Sequence, residues 1–203
     1  MRKRKEFEFG TCTVPDGKRG LWSIETFTVS ERDARMFNLG NMFNPGQWID
    51  PGTYRRLRHK ERGIVMSNTP MEVRSNYDAY LSAHNRVLIN GLGLGMLLEG
   101  ILRKPDVTYV RVIEVDPDVI RLTGDYYLGF SDKLEIVEAD AYEYRPKRGE
   151  FFDYVWHDIW DDINADNLPL MSKLTRRYNK RVATSQGVWS RDMIRADQRR
   201  RYF

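Results

Sequence analysis

From residue 70 onward, apolar positions alternate between runs at strand spacing and stripes at helical spacing. Pro70 opens a helix at its first position, with Val73, Tyr77, Tyr80 and Leu81 as its stripe. Residues 86–89 form a short buried strand, and Met96, Leu97, Leu98, Ile101 and Leu102 continue as a helix. Residues 107–115 are a second strand. The next helix carries its stripe at Val119/Ile120, Thr123 and Tyr126/Tyr127. Residues 134–138 and 151–157 are the third and fourth strands. A helix over about 165–178 follows, with Leu168, Met171 and Leu174 facing inward. A fifth strand is expected at 181–184, then an arginine-rich helix over about 189–202. Strands alternating with helices imply a doubly wound, mostly parallel α/β sheet of the Rossmann-like kind.

The first 69 residues read differently. Residues 7–14 and 21–29 alternate in the β manner around Pro15-Asp16-Gly17, which predicts an N-terminal hairpin. Ser30 caps a helix that Gly40 stops. A loop over 41–52 then leads to two short strands at 54–58 and 64–67. The expected organisation is a β-hairpin and helix extension over 1–69 and a nucleoside-binding domain over 70–203.

Hydrophobic content of 41% and aromatic content of 12% place the chain among globular proteins rather than disordered ones. No apolar run reaches the ~18 residues that a membrane span needs. The basic start, Met-Arg-Lys-Arg-Lys-Glu, has no apolar segment after it and does not read as a signal peptide. Cys12 is the only cysteine, which excludes an intrachain disulfide and fits a reducing, cytoplasmic location. With three histidines (His59, His84, His157) beside it, no metal-ligand cluster forms and no metal is expected. Charge is uneven: residues 173–201 hold ten Lys or Arg against two Asp. Basic ends could meet the phosphates of a nucleic acid, but no aromatic stripe accompanies them, and solvated faces explain them as well.

The chemistry concentrates at residues 86–116. Gly91, Gly93 and Gly95 make a turn too tight for side chains, between a strand and a helix. The next strand ends in Glu114, Val115 and Asp116. Glycines let the backbone approach a ligand at a helix N-terminus, and an acid roughly 20 residues on can accept from a ribose diol. The spacing is not the dinucleotide fingerprint, since Met96 stands where its third glycine would fall. Asp116 precedes Pro117 and can be an N-cap, whereas Glu114 at the strand end has no such role. Asp140-Ala141, Asp158 and Asp161 fall at or beyond the carboxyl ends of later strands. Four acids (Glu114, Asp140, Asp158, Asp161) on one sheet edge are the pattern of a site.

These residues resemble the class I S-adenosylmethionine-dependent methyltransferase superfamily, and within it the spermidine-synthase-like branch. Val87-Leu-Ile-Asn-Gly91-Leu-Gly93-Leu-Gly95 is similar to that branch's Val-Leu-Ile-Ile-Gly-Gly-Gly-Asp-Gly. Glu114-Val-Asp116-Pro-Asp-Val119-Ile120, Asp140-Ala141 and the stretch from Phe152 to Asp161 match its later motifs. The resemblance implies S-adenosyl-L-methionine as cofactor. It puts Gly91, Gly93 and Gly95 along the methionine and ribose, Glu114 and Val115 at the ribose, Asp140 and Ala141 at adenine, and Asp158 beside the sulfonium. Ile159-Trp160 replaces the branch's Ser-Ser, the loop at 66–72 lacks its Asp-Gly-x-x-Gln, and only 42 residues follow Asp161. The C-terminal half is thus expected to be short, with a homodimer partner or the N-terminal hairpins covering the acceptor.

Methyl transfer is an in-line displacement in which the protein aligns a nucleophile and takes its proton. Asp158, with Asp161, is the expected catalytic group. His157 is one residue away along a strand and should point to the other face. The absence of a Pro-Pro-Tyr motif at the fourth strand argues against amino-methylation of DNA, and Cys12 is badly placed for a cytosine-C5 nucleophile. The acids, with Trp156 and Trp160, suit a cationic acceptor such as an amine, on a small molecule or a protein side chain. An aminopropyltransferase using decarboxylated cofactor and a non-catalytic scaffold are the competing readings.

Overall fold

The computed structural model describes residues 9–201. The run of basic residues at 2–5 and the start of the predicted first strand, residues 7–8, lie outside them. The second half of the chain builds a five-stranded parallel sheet. It comprises β5 (Asn85–Asn90), β6 (Val107–Glu114), β7 (Leu134–Glu138), β8 (Phe152–His157) and β9 (Val182–Val188), in the order β7-β6-β5-β8-β9. The connections are α4 (Met96–Arg103), α5 (Pro117–Val119) and α6 (Asp125–Leu128) joined by a π turn at Ile120–Gly124, and α7 (Leu168–Tyr178). Helix α8 (Arg191–Arg201) follows β9. The chain reverses its winding between β5 and β8, and ligands of open α/β sheets bind at the carboxyl ends of such a switch point.

The central strands are apolar on both faces, as a sheet covered on both sides requires. Val87 and Ile89 of β5 pack with Val110, Val112, Tyr154 and the α4 residues Leu97, Leu98 and Ile101. Leu88 points the other way, into a cluster with Ile113, Phe152, Val155, Leu174 and Tyr178.

Before this sheet stands a four-stranded antiparallel one: β1 (Gly17–Arg19), β2 (Trp22–Val29), β3 (Gly52–His59) and β4 (Gly63–Ser67). Helix α1 (Glu31–Gly40) joins β2 to β3, and Ser30 Oγ caps it by accepting from the Asp33 N–H at 3.1 Å. Helices α2 (Pro70–Ser75) and α3 (Tyr77–Ser82) link the two sheets.

Several sequence expectations need correction. The first hairpin is formed by β1 and β2 around Gly20-Leu21, not by residues 7–14 around Pro15-Asp16-Gly17. Residues 9–16 are not a strand, although Phe9, Cys12 and Val14 are buried as their alternation implied. Side chains bond their backbone instead: Arg55 donates to the Cys12 carbonyl and Asn68 to the Gly10 carbonyl, and Thr13 N–H donates to Glu99. The fully buried Glu99 of α4 accepts from Thr13 N–H and Oγ1, each at 2.8 Å, and from Tyr127 Oη at 3.0 Å, and pairs with Arg103. The helix that Pro70 opens breaks at Asn76, whose φ of −101° and ψ of 0° interrupt it. Leu81 is consequently exposed rather than part of the stripe. β9 runs on to Val188, past the expected end at 184, because Ser185 to Val188 pair with Tyr154 to His157 in a stretch too polar to be read as a strand.

Candidate functional site

The glycine turn is shaped by left-handed backbone. Gly91 has φ +96° and Gly93 φ +52°, conformations costly to any side chain. A Cβ on Gly91 would also collide with the Asp158 carbonyl oxygen, and one on Gly93 would meet Met66 Sδ at 2.7 Å. Ladder bonds bring these segments together. Gly91 N–H donates to the Ile113 carbonyl and Asp158 N–H to the Asn90 carbonyl, both at 2.8 Å. The ends of β5, β6 and β8 are thereby clamped at one point.

Glu114 closes this edge. One carboxylate oxygen accepts from Leu92 N–H at 2.8 Å, and the other from Val115 and Asp116 N–H at 2.9 and 3.0 Å. Burial raises its pKa, and the three backbone donors pull it back down. Asp116 accepts from Asp118 N–H at 2.9 Å as the N-cap of α5, and its other oxygen accepts from the Trp22 indole at 2.7 Å. It therefore fastens the antiparallel sheet to the parallel one.

A cavity of about 360 Å³ lies along this edge. Gly91 and Gly93 line it, with Glu114, Val115, Asp140, Ala141, Asp158 and Asp161. Trp22, Leu57, Val65 and Met66 of the antiparallel sheet border it as well, and Glu72 reaches it from α2. Gly95 is not in the lining: at φ +76° it is the left-handed cap of α4, packed under the Tyr127 ring. Asp140 is exposed and turns one oxygen onto Tyr142 N–H at 2.7 Å. Asp161 is ion-paired with Arg62 at 2.6 Å, and the Arg62 guanidinium stacks 4.8 Å from the Trp22 ring. Arg62 is the one cationic side chain among the described lining residues, against six carboxylates.

Two of those carboxyls stand apart. Desolvation lifts Asp158 to about 8, helped by the nearby Glu72 and opposed by the Trp156 indole. Desolvation lifts Glu72 to about 7, against the Ser67 N–H that it accepts at 3.0 Å. Sequence reasoning missed Glu72. Thr69 and Glu72 have capping-box spacing, which suggests a purely structural acid. Yet Thr69 makes no side-chain cap bond, and Glu72 turns toward the cavity.

His157 is fully buried and outside the cavity lining. Its Nδ1 meets Asn90 Nδ2 at 2.8 Å and its Nε2 meets Gln186 Oε1 at 3.0 Å. Asn90 Oδ1 accepts from Tyr178 Oη at 3.0 Å, which leaves the amide nitrogen for the imidazole and puts the ring proton on Nε2. Desolvation lowers its pKa to about 4. The imidazole is a neutral tie across β5, β8 and β9.

No protein-family model and no curated protein sequence matches the chain. Among solved structures it is similar to the N-methyltransferase NodS of Bradyrhizobium japonicum WM9 in complex with S-adenosyl-L-homocysteine, at 18% identity over 56% of this chain and 57% of that one, with a TM-score of 0.43. A spermidine synthase from Thermotoga maritima is similar at 21% identity over 67% and 52%, with a TM-score of 0.43. A dimethyladenosine transferase from Plasmodium falciparum is similar at 23% identity over 53% and 37%, with a TM-score of 0.39. The chain thus spans a little over half the length of NodS. Likenesses this distant carry no argument about chemistry, which has to come from the cavity itself.

Proposed function

We propose that the cavity binds S-adenosylmethionine and that the protein is a methyltransferase for an acceptor held beside Asp158. The observation that carries this reading is the convergence of Glu114, Asp140 and Asp158, from the ends of β6, β7 and β8, on a cavity bordered by Gly91 and Gly93. The lining fits the group. A wall rich in carboxyl groups complements a cationic ligand, the glycines leave room that a Cβ would fill, and Ile113 and Ala141 supply an apolar bed for a purine.

When bound, S-adenosylmethionine supplies a methyl group activated by a sulfonium. The chain's own residues do the rest. Glu114 retains lone pairs beyond its backbone bonds and accepts from vicinal ribose hydroxyls. Asp140 accepts from the adenine amino group. Trp22, Leu57, Val65 and Met66 exclude water, which strengthens each electrostatic contact inside. Desolvation raises the Asp158 pKa to about 8, so that its carboxylate, once ionised, is a strong enough base to take a proton from the acceptor. Among the described residues no helix is long and apolar enough to cross a membrane. The free, buried Cys12 fits the reducing cytosol in which we place the protein.

The test is turnover with methyl-labelled S-adenosylmethionine and a panel of amines, alcohols and peptides. Label should reach an acceptor with wild type and fail to do so with Asp158→Asn. Transfer of an aminopropyl group from the decarboxylated donor, with no methyl transfer, would refute the methyltransferase reading.

A further inference from the structure

We propose that the cationic face of α7, with the loop that precedes β8, is a docking surface for single-stranded RNA held by its phosphates. Lys173, Arg176, Arg177, Lys180 and Arg181 recur at i, i+3, i+4, i+7 and i+8 along α7 and the 3-10 turn that continues it (Asn179–Arg181), which puts them on one face. No acid stands between Asp166 and Asp192 in the sequence. Cations in a last helical turn complement the macrodipole, which accounts for Arg176 and Arg177. It does not account for a whole stripe of like charges at i, i+4 without an interleaved acid, an arrangement that destabilises a helix. The loop adds Arg145, Lys147 and Arg148, all exposed. Arg177 fastens this loop to α7 by donating to the Glu143 and Tyr144 carbonyls at 2.7 and 3.3 Å. Arg145, Arg177 and Arg181 then line a second cavity of about 80 Å³ that has no carboxylate in its wall. Among the described residues none of these cations is in an ion pair. Glu150, at the end of the loop, is taken by Arg111 at 2.7 Å, and Glu143 is the one exposed acid over 141–150.

A row of unpaired cations, spaced about 6 Å apart along the axis from i to i+4, fits a chain of phosphates better than a single anion. In the sequence the one aromatic within the stripe is the buried Tyr178. The fold brings others to it. Lys173 Nζ lies 5.5 Å from the centre of the Tyr142 ring, and Tyr142 and Trp160 line the large cavity. The stripe therefore leads to an aromatic edge. Phosphate contacts position a strand, and aromatic rings stack its bases. Bases free to stack belong to single strands, the usual state of RNA loops and ends, whereas those of DNA are paired. The surface stands whether or not the large cavity holds S-adenosylmethionine.

The experiment measures binding of the full chain to a labelled oligouridine of about 20 nucleotides by fluorescence anisotropy over a salt series. Duplex DNA, polyglutamate and phosphatidylserine vesicles are the comparison ligands. Oligouridine should bind at least tenfold more tightly than each of them at the same salt. Its log affinity should fall against log salt with a slope of about −3.5, as five phosphates at ~0.7 each require. The triple variant Arg176→Gln, Lys180→Gln, Arg181→Gln should weaken binding at least tenfold and make the slope shallower by about 2. Arg145→Gln with Arg148→Gln, which leaves α7 untouched, should weaken it at least threefold. Arg32→Gln, Arg35→Gln and Lys60→Gln together, exposed cations elsewhere, should leave it within twofold of wild type. Thermal unfolding checks that each variant is folded. No binding of oligouridine, equal loss in the two triple variants, or tighter binding of duplex DNA, polyglutamate or vesicles would overturn the proposal. If oligouridine binds as expected while S-adenosylhomocysteine does not bind, the donor reading falls and the docking surface stands.

Discussion

The backbone N–H of Leu92 donates to the Glu114 carboxylate at 2.8 Å, so the glycine turn and the acid at the end of β6 are one unit. The acid shapes the turn, and the turn presents the acid. Either half alone is common in α/β proteins. Joined at the winding reversal between β5 and β8, they form the edge at which we propose that the nucleoside binds.

Glu114→Ala removes three backbone hydrogen bonds and, with them, the proposed acceptor for the ribose hydroxyls. Binding of S-adenosylhomocysteine should weaken by ~1–3 kcal/mol, as expected for lost charge-assisted bonds. Calorimetric Kd values for wild type and variant decide it. An unchanged Kd would take Glu114 out of the site.

Gly91→Ala forces a side chain into a left-handed position and against the Asp158 carbonyl oxygen, which is backbone and cannot swing away. The variant should lose ~2 kcal/mol or more, the range for strain at a special backbone position. Urea unfolding midpoints measure this. A midpoint within experimental error of wild type would show that the clamp between β5 and β8 is loose.

His157 is neutral in the fold, with its pKa depressed from 6.5 to about 4. The unfolded state takes up the proton first as pH falls. The stabilisation is therefore complete above pH 6.5 and is lost as pH drops through about 4, by ~3 kcal/mol. Thermal unfolding between pH 7.5 and pH 4, set against His157→Gln, isolates this contribution. A constant difference between the two proteins over that range would contradict it.

Asp158 has the opposite sign. Its pKa rises from 3.8 to about 8, so the fold favours the protonated form. The stability that this confers is complete below pH 3.8 and is lost as pH rises through about 8. Asp158→Asn removes the loss. Its melting temperature should exceed that of wild type at pH 9, and the gap should narrow as pH is lowered toward 4. Stability gained by removing a functional group is a common trade at active sites. A variant less stable than wild type at pH 9 would show that the carboxylate is solvated.

The parallel sheet was legible because β5 to β8 are short apolar runs separated by helical stripes, the pattern that burial on both faces imposes. Four of the acids that line the cavity, Glu114, Asp140, Asp158 and Asp161, were legible for the same reason: strand ends locate a sheet edge. What escaped depends on contacts across the chain. Residues 9–16 alternate like a strand, but their bonding partners are side chains far along the chain, Arg55, Asn68 and Glu99. β9 is polar because it is the edge strand, with Thr184 and Ser185 exposed and Gln186 bonded to the buried His157. Glu72 has the spacing of a helix cap, and only the folded arrangement turns it toward Asp158. Arg62 and Trp22 belong to an extension whose place over the sheet edge follows from two bonds, Trp22 to Asp116 and Arg62 to Asp161.

The most direct test of the account is a calorimetric titration of the protein with S-adenosylmethionine, S-adenosylhomocysteine and decarboxylated S-adenosylmethionine. One-to-one binding of the first two, preferred over the third and weakened in Glu114→Ala, is the predicted result. Binding to none of the three would contradict the assignment of the cavity.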